Sequence, residues 1–181
     1  MSNWRLIVIV GPSAVGKDSV LSGIAAAKPA IRLVRRVITR APELGGEDYD
    51  SVTAEEFGIR VESGAFCLTW QAHGLLYGIP ADVLTDVGLG ATCIANLSRS
   101  ALTQAVRIFP DLRVLNITAS PSVLASRLTK RGRESEGEIK RRLAQAEKPL
   151  TDGIDVAEIR NDGLLTETVA MALAALYPVR A

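Results

Sequence analysis

The chain has 181 residues, 21 basic and 20 acidic side chains for a formal charge of +1, 48% hydrophobic residues and a mean hydropathy of +0.19. This length suits one domain with a core of its own, and the hydrophobic share excludes a disordered chain. A near-neutral balance lacks the basic excess of general nucleic-acid or membrane-surface binders, and Cys67, Cys93 and the single histidine, His73, give neither a disulfide framework nor zinc-ligand spacing.

Leu6–Val10 is short, β-branched and followed at once by Gly11-Pro12, which predicts a buried strand ending in a loop. The run is far too short to span a bilayer or form a signal core, so a reducing, cytoplasmic setting is expected. A helix follows from Lys17, turning Val20, Leu21 and Ile24 inward until Pro29 stops it. Ile31–Ile38 is predicted as a second strand, and Thr53-Ala-Glu-Glu56 as the capping box of a short helix ending near Gly64. Phe66–Trp70 and His73–Tyr77 read as two short strands joined by a turn, and Pro80 as the start of a helix that fades at Gly88. Ala91–Asn96 and Leu112–Thr118 are further strands, with a helix over Ser98–Ile108 between them. Ser120-Pro121 opens a helix that Gly132 ends, and Ser135-Glu-Gly-Glu138 precedes another, stopped by Pro149. Asp155–Arg160 and Leu164–Leu176 close the chain as strand and helix. Alternating strands and helices predict a mostly parallel sheet covered on both faces, an α/β fold. The exception is 35–79, which reads as a small mixed insert. Nothing in the composition separates a monomer from a homodimer.

The segment Gly11-Pro12-Ser13-Ala14-Val15-Gly16-Lys17-Asp18-Ser19 lies directly between the first strand and the first helix, the context a phosphate-binding P-loop requires. Glycines let backbone N–H groups turn inward around phosphate oxygens, and the helix N-terminus adds a favourable dipole. Lys17 is placed to reach the β- and γ-phosphates of a nucleotide. Where the motif carries Ser or Thr as a Mg²⁺ ligand, this chain has Asp18. A carboxylate is a good Mg²⁺ ligand; a first-turn aspartate that only complements the helix dipole is the alternative. Ser19 offers a hydroxyl to the α-phosphate.

Local charge is patterned. Arg32, Arg35, Arg36 and Arg40 form a basic stretch, and Glu43, Glu47, Asp48, Asp50, Glu55 and Glu56 an acidic one. From Arg127 to Lys148, 8 basic residues face 4 acidic ones. Beside a P-loop, such clusters suit binding of polyanions as well as plain solvation.

In order along the chain, Ile38-Thr39-Arg40, Asp48-Tyr49, Glu55-Glu56-Phe57, Trp70, Tyr77-Gly78, Arg127-Leu128 with Arg131-Gly132, and Asn161-Asp162 resemble the guanylate kinases. The resemblance implies a P-loop NTPase fold divided into a core (1–34, 80–126 and 149–181), an acceptor-binding insert (35–79) and a lid over ATP (127–148). It implies that Arg40 and Tyr77 touch the acceptor's phosphate, that Arg127, Arg131 and Arg142 serve the lid and the transferring phosphoryl group, and that Arg131 and Asn161 contact the nucleotide.

Three positions depart from that pattern. Glu43 stands where guanylate kinases carry a second arginine, Thr69 where an acid reads guanine, and Asn96-Leu97-Ser98-Arg99 where an acidic pair lies. A base edge loses strong discrimination when a hydrogen-bond partner is missing. These departures, with Gly16-Lys17-Asp18-Ser19, Trp70-Gln-Ala-His73-Gly74-Leu-Leu-Tyr77-Gly78 and Arg131-Gly-Arg133-Glu134, resemble the ribose 1,5-bisphosphate phosphokinases. That resemblance implies ATP-dependent formation of 5-phosphoribosyl 1-diphosphate, linked to phosphonate breakdown, with Mg²⁺ as cofactor. Guanylate kinase activity and a non-catalytic protein-binding module are the alternatives; the intact Gly11, Gly16 and Lys17 argue against the module.

A hydroxyl acceptor needs a general base, and no motif supplies one. A phosphate acceptor, with a second pKa of about 6, is already largely a dianion and needs cations instead. Candidates on the acceptor side are Arg35, Arg36, Arg40 and Arg99, with Asn96, Ser98 and Tyr77 for hydroxyls; Arg35 or Arg36 pointing to solvent from one strand face is the alternative. His73 fits either a sugar contact or a bland turn, Trp70 packing beneath the site, and Cys67 and Cys93 ordinary buried thiols.

Overall fold

A computed structural model of the chain describes residues 5–42, 47–131, 135–146, 150 and 153–178, the side chains of residues 131, 136, 138, 145 and 146 excepted. β1 (Leu6–Val10) is buried at every position and sits at the centre of a parallel sheet ordered β2-β7-β1-β8-β9, with β2 at Ile31–Leu33, β7 at Thr92–Asn96, β8 at Leu112–Thr118 and β9 at Val156–Arg160. Side chains alternate across a strand, so β1 feeds two cores at once. Ile7 and Ile9 join Val20, Leu21 and Ile24 of α1 (Lys17–Ala27) and Ala172 and Leu176 of α7 (Leu165–Leu176). Leu6, Val8 and Val10 face the other way, onto Val83 of α3 (Asp82–Gly88), Leu102 and Ala105 of α4 (Leu102–Ile108), and a second sheet.

The second sheet is mixed, ordered β4-β3-β6-β5. It holds β3 (Val37–Ile38), β4 (Asp50–Ser51), β5 (Phe66–Ala72) and β6 (Leu75–Pro80), beside α2 (Ala54–Glu62), whose first turn is capped by Thr53 Oγ1 accepting from Glu56 N. Leu68, Trp70, Tyr77 and Ile79 from this sheet join the first core, which pins the small sheet against the large one.

The expected strand Ile31–Ile38 is two strands in two sheets. Val34 N still donates to Ile94 O of β7, and beyond it the chain crosses to pair Val37 with Gly78. An apolar run does not reveal that its partner changes halfway. His73 lies not in a strand but in the hairpin turn, where His73 (φ 53°) and Gly74 (φ 75°) both take positive φ, as a tight two-residue hairpin loop requires. Pro80 ends β6 rather than starting a helix, and the helix expected from Ser98 opens with a 3₁₀ turn, Arg99–Ala101. α5 (Pro121–Arg131) and α6 (Glu136–Ala146) fall where expected; Gly132 and Pro149, their expected stops, lie outside the described residues.

The order β2-β7-β1-β8-β9 places the C-terminal end of β1 where the chain runs out to both sides of the sheet. Ligands of open α/β sheets bind at that crevice. Gly11 starts there.

Candidate active site

The loop from Gly11 to Gly16 is shaped by its backbone. Gly11 (φ 152°) runs so close to β8 that a Cβ would sit 2.4 Å from Ile117 O, and Gly16 (φ 93°) leaves 2.7 Å between such a Cβ and Asn161 Nδ2. Ala14 also takes a left-handed φ of 64°. The Lys17 ammonium folds back to donate to the carbonyls of Gly11 and Pro12, each at 2.9 Å, which holds a positive charge at the mouth of the loop. Ser19 is exposed on the first turn of α1.

Three distant segments brace this loop. Asn161, just past β9, donates from Nδ2 to Val15 O at 2.7 Å and accepts at Oδ1 from the buried Thr168 hydroxyl at 2.8 Å. Arg127 of α5 donates to Val15 O and to Asn161 O, and Arg142 of α6 donates to Ser13 Oγ. Beside them opens a cleft of about 370 Å³ lined by Ala14, Gly16, Ser19, Arg127, Asn161 and Leu165. Arg127 and Asn161 thus meet the loop backbone as well as the cleft. Arg131 ends α5, but its side chain lies outside the described residues.

The second half of the site lies between the two sheets. Asn96, at the end of β7, donates from Nδ2 to Asp18 Oδ1 at 2.7 Å and reaches Glu47 Oε2 at 3.5 Å; its buried Oδ1 has no hydrogen-bond partner among the described residues. Arg36 binds Glu47 through both Nε and Nη2, and its guanidinium carbon lies 5.3 Å from the Tyr77 ring centre. Tyr77 stacks on Trp70, and Trp70 Nε1 donates to Ser98 Oγ at 2.9 Å. Burial pushes the Tyr77 phenol up from its usual range, opposed by the charges of Arg36 and Arg40. Arg40 lies over the Tyr49 ring at 4.4 Å and donates to its hydroxyl. Burial lowers the pKa of the Arg99 guanidinium, which nevertheless stays charged.

Arg35 is not brought to this centre. It is more than half exposed and pairs with Asp48 and Asp50 on the solvent side, while Arg32 pairs with Asp82 and Asp86. Neighbouring arginines on one chain segment face opposite ways, so Arg35 goes out and Arg36 in. Exposed His73 stands at the hairpin tip, and Glu43 lies outside the described residues. Two residues escaped the sequence reading. Glu47 was visible only as one of an acidic stretch, and Thr168 looked like any polar residue of an amphipathic helix.

The guanylate kinase family model matches residues 3–172. Ribose 1,5-bisphosphate phosphokinase PhnN of Ruegeria sp. (strain TM1040) is 51% identical over 178 residues, covering 97% of this chain and 93% of that protein. The chain belongs to the guanylate kinase family, in its ribose 1,5-bisphosphate phosphokinase branch. The PhnN protein of Agrobacterium fabrum (strain C58 / ATCC 33970) is 46% identical, covering 90% of each chain. In fold, the chain is similar to the guanylate kinase of Anaplasma phagocytophilum, with a TM-score of 0.69 at 22% identity, covering 97% of this chain and 86% of that one. The chain's departures from the guanylate kinase pattern lie in both halves of the site, Asp18 being the one in the P-loop half. The P-loop half keeps both glycines and Lys17, whereas the other half has half-buried Thr69 in place of an acid and the Arg36–Glu47 pair beside the rings.

Proposed function

We propose that the chain transfers the γ-phosphoryl group of ATP to the 1-phosphate of ribose 1,5-bisphosphate, in the cytoplasm and in the service of phosphonate breakdown. A 1-phosphate oxygen forms a bond to the γ-phosphorus as the β–γ bridging bond breaks, giving 5-phosphoribosyl 1-diphosphate and ADP. The observation that carries the reading is the 51% identity, over nearly the whole of both chains, to a protein named for this activity. It is supported by an acceptor half that holds arginines and lacks a guanine-reading acid.

The residues of the site suit a nucleotide and Mg²⁺. A nucleotide's phosphates fit the Gly11–Gly16 cradle, where any Cβ at the two glycines meets Ile117 O or Asn161 Nδ2. Mg²⁺ would suit Asp18, and the buried Asn96 Oδ1 beside it has no hydrogen-bond partner among the described residues. Bound Mg²⁺ draws charge from the phosphate oxygens it contacts. Asp18 would hold it, and Ser19 would offer its hydroxyl to the α-phosphate.

We assign residues 35–79 to acceptor binding and residues 127–148 to a lid, with 1–34, 80–126 and 149–181 as the core. Lys17 exchanges its loop carbonyls for phosphate oxygens and follows negative charge from the γ- to the β-phosphate. Arg142, already at Ser13, and Arg127 and Arg131 add cations on the lid side. Arg36, Arg40, Arg99 and Tyr77 meet acceptor phosphates, and Asn96 and Ser98 its hydroxyls. No proton needs removing, because the attacking phosphate is largely a dianion at neutrality. What the reaction needs is the approach of two polyanions, which preorganised cations make possible.

Phosphorus NMR on the protein with Mg²⁺, ATP and each acceptor tests the reading. We expect ADP and a sugar diphosphate from ribose 1,5-bisphosphate and little or no GDP from GMP. Rapid GDP formation without turnover of the sugar bisphosphate overturns it and makes the chain a guanylate kinase.

A further inference from the structure

Resting on that reading of the acceptor, we propose that Glu47 is a specificity-determining positioning residue. It locks Arg36 beside the Trp70–Tyr77 ring pair, so that the pocket meets its substrate with a fixed cation and offers no ring face to a base. Four observations carry this. The Arg36 and Glu47 side chains are 11% and 8% exposed, and they are joined by two parallel hydrogen bonds through Nε and Nη2. This fork-to-fork geometry fixes the guanidinium plane as a single hydrogen bond cannot. Trp70 and Tyr77 stack at 5.2 Å with an interplanar angle of 8°, and each ring residue is only 8% exposed. The Arg36 guanidinium lies 5.3 Å from one ring centre and 6.0 Å from the other, within cation–π reach of both.

The hydrogen bonds to Glu47 leave Nη1 of Arg36 without a partner among the described residues. That edge suits a phosphate oxygen, and Asn96 Nδ2, 3.5 Å from Glu47 Oε2 and 2.7 Å from Asp18 Oδ1, connects the pair to the P-loop side. Glu47 also offsets the charge of Arg36, so the buried cation is stable before substrate arrives. A neutral base finds neither an open ring face to stack on nor an acid at Thr69 to bond. Discrimination here comes from what already occupies the slot.

The test compares wild type with Glu47→Gln, which keeps the shape and loses the charge, and with the double variant Arg36→Met/Glu47→Met, which strands no buried charge. Titration calorimetry with ribose 1,5-bisphosphate alone reads binding without turnover, and steady-state rates give both Michaelis constants and the sugar-bisphosphate to GMP ratio of kcat/KM. For Glu47→Gln we expect acceptor binding weaker by about 10- to 100-fold, the loss of one charge-assisted contact. The ratio should fall, and the KM for ATP should stay within about twofold. The double variant should keep ATP binding and lose acceptor binding. A folded Glu47→Gln protein with unchanged acceptor affinity and ratio overturns the inference, as does a double variant that binds the acceptor normally. If wild type itself ignores ribose 1,5-bisphosphate, the acceptor reading fails instead.

Discussion

Asn161 and Val15 are joined across 146 residues of sequence by a 2.7 Å hydrogen bond from a side-chain amide to a backbone carbonyl, and Thr168 holds that amide in place. The contact sets the curvature of the phosphate loop without requiring Asn161 to touch a phosphate. Asn161→Ala removes one of two donors to Val15 O, the other being Arg127, and one of two acceptors of the Thr168 hydroxyl, the other being Leu164 O, at about 0.5–1.5 kcal/mol each. The KM for ATP should rise roughly tenfold with the acceptor KM nearly unchanged. Thr168→Val should move it the same way by less, and Thr168→Ser should restore it.

Lys17→Ala removes the ammonium held at the mouth of the loop by the carbonyls of Gly11 and Pro12. The fold should survive, since no core contact is lost. Phosphoryl transfer should fall by about 3–4 kcal/mol of transition-state stabilisation, roughly 10²–10³ in rate. Circular dichroism and single-turnover kinetics on the same sample separate the two effects.

Asp18→Ala should raise the Mg²⁺ concentration for half-maximal rate by about tenfold or more. An unchanged metal dependence assigns Asp18 to the helix dipole alone. A Mg²⁺ titration of initial rates at saturating ATP decides.

Burial pushes the Cys67 thiol up to about 11. At pH 8 the thiolate is then about one part in a thousand, and the thiolate is the nucleophile. Iodoacetamide should label Cys67 slowly in the native protein and rapidly in urea, as followed by intact-mass spectrometry.

The backbone N–H of Ser120 and then the Arg160 guanidinium hold the Asp162 carboxyl below its usual range. A depressed folded-state pKa gives stability that is present above the unfolded pKa of about 4 and is lost as pH falls through the folded value. Asp162→Asn should therefore lower Tm slightly at pH 7, and the gap from wild type should close under acid. Thermal melts from pH 7 to pH 2 read it.

The sequence by itself determined the phosphate loop, because its chemistry is contiguous: a β-branched run, Gly11 to Lys17, then a helix. It also determined the parallel α/β core, since β1, β7 and β8 and helices α1, α5 and α7 each carry a local pattern that their neighbours do not contradict. Tertiary structure alone decided the rest. Ile31–Ile38 reads as one strand, yet it serves two sheets, because periodicity reports which side is buried and not against what. Arg35 and Arg36 are adjacent and alike in sequence; only packing turned Arg36 onto Glu47 and Tyr77 and left Arg35 in solvent. Thr168, Asn161 and Val15 meet because α7 lies along α1 and β9 runs beside β8, and contacts closed by the docking of distant elements leave no local trace in the residues that make them.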